Sequence, residues 1–196
     1  MPNVNDVRIG APEQSTTGAI KHAPLGTTLP VLNDISTSGV TLDPAFVGDE
    51  YVSEDGLTLS PSMSTTNIKD WSGTVVRKLL EEFDGTLAWT MISTDQNALK
   101  VAFGDDYVTA VAASLTHGAQ VRAALGAHLP DPQSWVFLMK DGDARVVIVV
   151  PNGQITEVGD VTFVSNNAIG WQVTLSTYPD SDGNSIYIMT DDGVVS

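Results

Sequence analysis

The sequence predicts a mostly β protein, a sandwich or barrel with one short packed α-helix and a long extended N-terminal arm. Three observations carry this reading. Apolar and polar residues alternate with a period of two in several runs after residue 46. Asp-Gly turn pairs recur between those runs, at Asp55, Asp84 and Asp141. Residues 1–45 hold Pro2, Pro12, Pro24, Pro30 and Pro44 and follow neither the strand nor the helix period. The division is therefore an arm over 1–45 and one β-rich domain over 46–196. A chain of 196 residues, 42% of them hydrophobic, is long enough for one core of useful size.

Two readings stand for the arm. It is either a solvated terminus or a docking segment, because Leu25, Leu29, Val31, Leu32, Ile35 and Val40 are apolar clusters that a solvated tail does not need. Docking requires a partner surface on this subunit or on the next. On this basis removal of residues 1–40 is expected to leave a folded domain with impaired assembly.

After Gly48 the elements follow in order. Glu54 to Gly56, between Tyr51-Val52 and Leu57 to Leu59, reads as a hairpin turn, and Asp84-Gly85 as a second one between the runs 74–82 and 86–92. In the latter run Leu87, Trp89 and Met91 share one face against Thr86, Ala88 and Thr90. Thr94 opens a helix: it can cap the first amides, Asp95 suits the positive end of the dipole, Ala98, Leu99, Ala102 and Phe103 form an apolar stripe, and Gly104 ends it. The run 110–125 is Ala-rich like a helix, yet Gly118 divides it and 119–125 also reads as a strand. Strands over 134–140 and 144–150 flank Asp141 to Asp143, and Val146 to Val150 is apolar on both faces, as in a central strand. Pro151 to Gly153 is expected to turn the chain, followed by strands over 154–164, 169–178 and 185–190.

Catalytic chemistry finds little support. The chain has no cysteine, and its three histidines, His22, His117 and His128, lack the spacing of a helical zinc pair. No nucleophile elbow, Walker loop or dinucleotide fingerprint is present. Asp180 to Asn184 resembles a calcium loop only in part, lacking the ligand at position three, Gly at six and Glu at twelve, and reads as a turn. Glu81 and Glu82 are neighbours on a strand and point to opposite faces, so they form no catalytic pair. Neither an enzyme nor a cofactor is indicated. The N-terminus has no signal-peptide pattern and no apolar run approaches the roughly 20 residues of a membrane span, so the chain is expected to fold in the cytoplasm without inserting into a membrane.

Charge is more specific. With 24 acidic against 9 basic residues the net is −15, and no Lys or Arg follows Arg145. Static binding to nucleic acid needs cationic contacts that this balance does not supply. The acidity either keeps the fold soluble or forms a negative wall, for which Glu81, Glu82, Asp84 and Glu157 are candidates. Trp71, in the polar segment Asn67 to Gly73, is either a half-buried core residue or an anchor at a subunit contact.

The segment from Asp49 to Gly104 also resembles the core signature of major tail proteins, the tail tube subunits of long-tailed, siphovirus-type bacteriophages, especially those of actinobacteria. The carriers are Tyr51 to Gly56, Ser64 to Trp71, Leu87 to Ile92 and the helix opened by Thr94, with Val136 to Asp143, Gly153 to Thr162 and Tyr187 to Gly193 matching further on. Residues 1–45 fit more loosely. The resemblance implies a tail-tube fold whose six-subunit rings stack into a tube, with tail tip, tape-measure and tail terminator proteins as partners and DNA passing through the lumen without specific binding. It favours strands in 110–125, and it makes Leu25, Leu29, Val31, Leu32 and Trp71 candidate subunit contacts. Some such proteins add an immunoglobulin-like decoration domain; none is expected here, since the chain stops at Ser196 after the last strand signal. The rival reading is a monomeric extracellular β-sandwich that binds carbohydrate, which would suit Trp71, Trp171 and the acidic turns.

Overall fold

The computed structural model describes residues 7–13, 18–48 and 50–195. It is mostly β. The main sheet has seven strands: β1 (Ile20–Pro24), β4 (Val52–Lys69), β5 (Val75–Met91), β8 (Gln133–Asp141), β9 (Ala144–Val158), β10 (Trp171–Tyr178) and β11 (Tyr187–Asp191). Its order is β1-β8-β9-β10-β5-β4, every pairing antiparallel, and β11 adds to the stretch of β9 that β10 leaves open. Two small ladders lie outside it, β2 (Ile35–Ser36) with β3 (Gly39–Val40), and β6 (Val108–Val111) with β7 (Gln120–Ala123). The ambiguous run 110–125 is thus a hairpin: Ala-rich composition yields to strand pairing with its neighbour.

Strands β8 and β9 organise the core because both are apolar on both faces. Their turn holds two residues, Gly142 and Asp143, with Gly142 at φ 61°, as a tight hairpin with glycine in its first central position requires. On one face Trp135, Phe137, Ile148 and Val150 join Leu87, Trp89 and Met91 of β5 and Val173 and Leu175 of β10. Trp89 lies 5.6 Å from Trp135 and meets Phe137 edge-on at 5.4 Å. The helix α1 (Gln96–Phe103) closes this layer with Ala98, Val101 and Ala102. Its N-cap is Asp95, one residue beyond the expected Thr94: the Asp95 carboxylate accepts from Ala98 N at 3.0 Å, while the Thr94 hydroxyl accepts from the Trp171 indole at 3.2 Å.

On the other face Val136, Leu138, Val147 and Val149 are covered by the segment expected to be an arm. Ala23, Ile35 and Phe46 are buried against them, with Leu29, Val40 and Leu42 packed alongside. Residues 18–48 are therefore not a free extension; proline and short ladders stop them from showing a period, yet they form the second layer of the sandwich. Arg145 fastens it. Its side chain, 1% exposed, lies 3.2 Å from the Glu13 carboxylate and donates to the Thr37 carbonyl at 2.8 Å.

Three expected turns are not turns. Ser53 to Gly56 is an irregular bulge in β4, which resumes pairing from Leu57↔Trp89 after Val52↔Met91. Gly85 sits in mid-strand opposite Pro61; a Cβ there would stand 2.7 Å from Ile186 and 2.8 Å from the Thr177 hydroxyl, so glycine serves close packing rather than reversal. Pro151 to Gly153 lies within the continuous β9, where the Pro151 carbonyl accepts from Ser134 at 2.7 Å and the Gly153 carbonyl from the Trp135 indole at 3.2 Å. The chain reverses instead at Asp70 to Thr74, joining strands of 18 and 17 residues.

This packing reverses the expectation for truncation. Deleting residues 1–40 strips β1 and Ile35 from the apolar face of β8 and β9, and the truncated chain should lose its cooperative thermal melt in circular dichroism. Arg145→Ala removes the buried partner of the half-buried Glu13 carboxylate and of the Thr37 carbonyl and should destabilise the fold by about 1–3 kcal/mol in urea unfolding. His22, on β1 at 5.1 Å from Trp135, has its pKa lowered from 6.5 chiefly by burial, against raising contributions from Gln133 and Asp105. The unfolded chain therefore takes up this proton at a higher pH than the folded one, so stability falls as pH drops below about 6.5. The His22→Gln protein should lose less melting temperature between pH 7.5 and 5.5 than the parent.

Candidate assembly surfaces

The hairpin of β4 and β5 outruns its own core. Leu57 and Leu59 still pack against it, but from Ser60 to Lys69 and from Val75 to Asp84 every residue is exposed. Over this stretch the two strands pair only with each other. The exposed part carries Met63, Ile68, Val76, Leu79, Leu80 and Phe83. A solvated two-stranded ribbon with that content on both faces is marginal by itself.

At its end stands Trp71, fully exposed, which excludes the core reading. The turn that presents it is pinned by Asp70. That carboxylate accepts from the Ser72 hydroxyl at 2.6 Å and from Thr74 N at 2.8 Å, and these bonds hold its pKa below the usual carboxylate value. Gly73 adopts φ 86° and donates to the Asp70 carbonyl. Beside the turn lie Lys69, Arg77 and Lys78, three of the nine basic residues of the chain.

Across β10, the inner part of β5 and the adjoining stretch of β4, the sheet face turned away from the Trp89 layer is polar. Residues directly opposite across an antiparallel ladder share a face, and the register sets Ser60, Ser62 and Ser64 of β4 beside Thr86, Asp84 and Glu82 of β5, then Thr86, Ala88 and Thr90 beside Ser176, Thr174 and Gln172 of β10. Glu157 of β9 pairs with Thr174 on that same face, and the Thr156 and Ser176 hydroxyls lie 2.8 Å apart. Three of the four acidic candidates thus share one surface. Glu81 differs: Ser64 pairs with Glu82 and Thr65 with Leu80, so Glu81 is the extra residue of a bulge and the strict alternation expected across Glu81 and Glu82 is interrupted there.

The apolar candidates of the N-terminal segment divide. Leu29 packs on its own subunit, Leu25 is exposed just beyond β1, and Val31 and Leu32 are exposed at a 3-10 turn, Leu32 at 65%. That turn forms one wall of a groove of about 710 Å³ whose other wall is β11, with Ile188 and Met189. At its side the Asp180 carboxylate accepts from Asp182 N at 2.9 Å, Asn184 N at 3.0 Å and the Tyr187 hydroxyl at 2.7 Å, the bonds of a turn. They lower the Asp180 pKa and raise that of Tyr187. Among the described residues no cluster of three or more His, Cys, Asp or Glu has the arrangement of a metal site, and no helix is long and apolar enough to cross a membrane.

Two features of these surfaces went unread in the sequence. One is the ribbon's apolar content and the other its basic end. The available signal was Val75, Val76, Leu79, Leu80 and Phe83, apolar on both strand faces and interleaved with Arg77 and Lys78 rather than with core partners.

No curated protein sequence matches the chain. Among solved structures it is similar to the tube-terminating cap of the anti-feeding prophage, at 13% identity and a TM-score of 0.48, covering 95% of this chain and 96% of that one. It is also similar to a chain of the virion of a native gene transfer agent particle, at 10% identity and a TM-score of 0.38, covering 77% and 92%. A family model described as phage tail tube protein matches residues 3–195, nearly the whole sequence, and with that match the mostly β chain with its projecting ribbon belongs to the phage tail tube protein family, a structural component of the phage tail.

Proposed function

We propose that this tail tube protein polymerises into stacked rings of six subunits that form the conduit for DNA ejection in a siphovirus-type virion. The observation that carries this reading is the β4–β5 ribbon, which exposes both faces and the outer edge of β4 beyond any cover its own subunit provides. Unpaired edges and apolar ribbons are hazards in a soluble monomer. A head-to-tail contact around a ring pairs each such edge with the next subunit, and a second heterologous contact along the axis gives an open-ended stack. Assembly in the host cytoplasm, with tail tip, tape-measure and terminator proteins at the ends, accords with the family. The protein acts by geometry and charge, without catalysis or a cofactor.

The polar face of the sheet is the proposed lumen wall. Ser and Thr hydroxyls with Glu82, Asp84 and Glu157 would present each passing phosphate with neutral or negative groups, repeated around every ring. At a screening length of about 8 Å in physiological salt, the repulsion acts only near the wall, which keeps DNA from adhering without hindering its passage. Glu81 stands at a bulge and is left out of this wall.

Negative-stain microscopy of concentrated protein should show tubes or stacked rings. A persistent monomer with affinity for saccharide or calcium would decide for the carbohydrate-binding alternative. Glu82→Lys with Asp84→Lys should leave the thermal melt near that of the parent, since both side chains are solvated, yet yield tubes that retain DNA in a salt-sensitive manner. A tube whose inner wall is lined by other, basic residues would overturn the lumen assignment.

A further inference from the structure

We infer that the Trp71 end of one subunit's hairpin seats in the groove between the 3-10 turn, Leu32–Asp34, and β11 of another copy of this chain, with Lys69, Arg77 and Lys78 facing the carboxylates of the Asp180 to Asn184 turn. The inference rests on the polymer proposed above and names the two surfaces that meet in it. Each surface is incomplete in a way the other repairs. The hairpin end offers a fully exposed indole on a turn already pinned by Asp70, so little conformational freedom is lost on docking. The groove offers about 710 Å³ lined by Val31, Leu32, Ile188 and Met189, within the size range of about 300–1,000 Å³ that takes a compact apolar group.

Charge selects the pairing. The hairpin end, residues 69–78, has three cations against the single carboxylate of Asp70 in a chain of net charge −15. The groove lies beside Asp180 and Asp182, in a C-terminal stretch that contains no Lys or Arg after Arg145. One other groove, of about 650 Å³, also sets apolar walls beside carboxylates, Glu54 and Asp55, but Arg8 adjoins its wall at Ile9 in sequence, whereas no Lys or Arg adjoins the Asp180 turn. Because the donor and acceptor surfaces differ, the contact repeated head-to-tail leaves a free hairpin and a free groove at the ends, and so propagates into a ring or an open stack. Steering by unlike charge brings the hairpin to the groove, and tryptophan burial then holds it.

The natural absence of cysteine makes a direct test available. A Ser72→Cys chain and a differently tagged Asn33→Cys chain, positions flanking Trp71 and Leu32, are co-assembled and treated with a flexible bis-maleimide. Mixed-tag adducts should form in assembled protein and neither single-site chain should give them alone. Normal tubes without mixed adducts would overturn the docking while leaving the polymer intact; failure of the unsubstituted chain to form tubes would overturn the polymer itself. In parallel, Arg77→Glu with Lys78→Glu should raise the concentration needed for assembly roughly tenfold or more, and Asp182→Lys in the same chain should recover part of it. Trp71→Ala should impair assembly with its melting temperature unchanged, because the indole touches nothing in its own subunit. A lowered melt for Trp71→Ala, or no effect of either substitution on assembly, counts against the docking.

Discussion

Strand β9 and its partner β8 are apolar on both faces, and the remainder of the subunit follows from covering them. Val147 and Val149 look one way, Ile148 and Val150 the other. Each face left wet would cost about 1.5–3 kcal/mol per large side chain, more than a domain of ordinary stability can absorb. One face is satisfied by β5, β10 and α1. The other takes residues 18–48, although they hold no regular structure beyond the five residues of β1, two-residue ladders and the 3-10 turn Leu32–Asp34. Backbone bonds such as Glu13 N to Leu138 O and Leu138 N to Ala19 O tie the N-terminal segment to β8, and Arg145 adds its contacts with Glu13 and the Thr37 carbonyl.

With both faces of the central strands covered, no cover remains for the outer part of β4 and β5. The ribbon from Ser60 to Asp84 has ten exposed residues per strand, a length of about 30 Å at 3.3 Å per residue step. It keeps its shape through cross-strand bonds, the Asp70 turn and two bulges, at Glu81 and near Lys69. Burying four of its apolar side chains would contribute about 6–12 kcal/mol, which lies within the range of 4–15 kcal/mol that association costs. A single such contact is therefore marginal, whereas a subunit held by neighbours on several sides is secure.

The charges are arranged with the same economy of place. Carboxylates dominate the chain, yet Lys69, Arg77 and Lys78 gather at the one end that projects furthest from the core. The acidic residues of the polar sheet face, Glu82, Asp84 and Glu157, stand among hydroxyls rather than beside cations. Repulsion between bodies and attraction at a specific end together disfavour random aggregation of a subunit with exposed apolar strands.

The sequence by itself determined the β class, the helix with its Gly104 end, the buried face of Leu87, Trp89 and Met91, and the two-sided apolar run of β9, because each is written in a local period or cap. The acidic balance and the polar turn at Asp180 were equally local. Tertiary structure decided the rest. Asp-Gly at 55 and 84 has the composition of a tight turn, but whether the chain reverses depends on what pairs across it, and here β4 and β5 run past both positions to meet again beyond Asp70. The arm docks on its own subunit as a core layer because Ala23, Leu29, Ile35, Val40 and Phe46 answer a face made about 100 residues later. The solvent exposure of Trp71 likewise depends on how far the sheet extends beyond its cover, a quantity that no window of sequence contains.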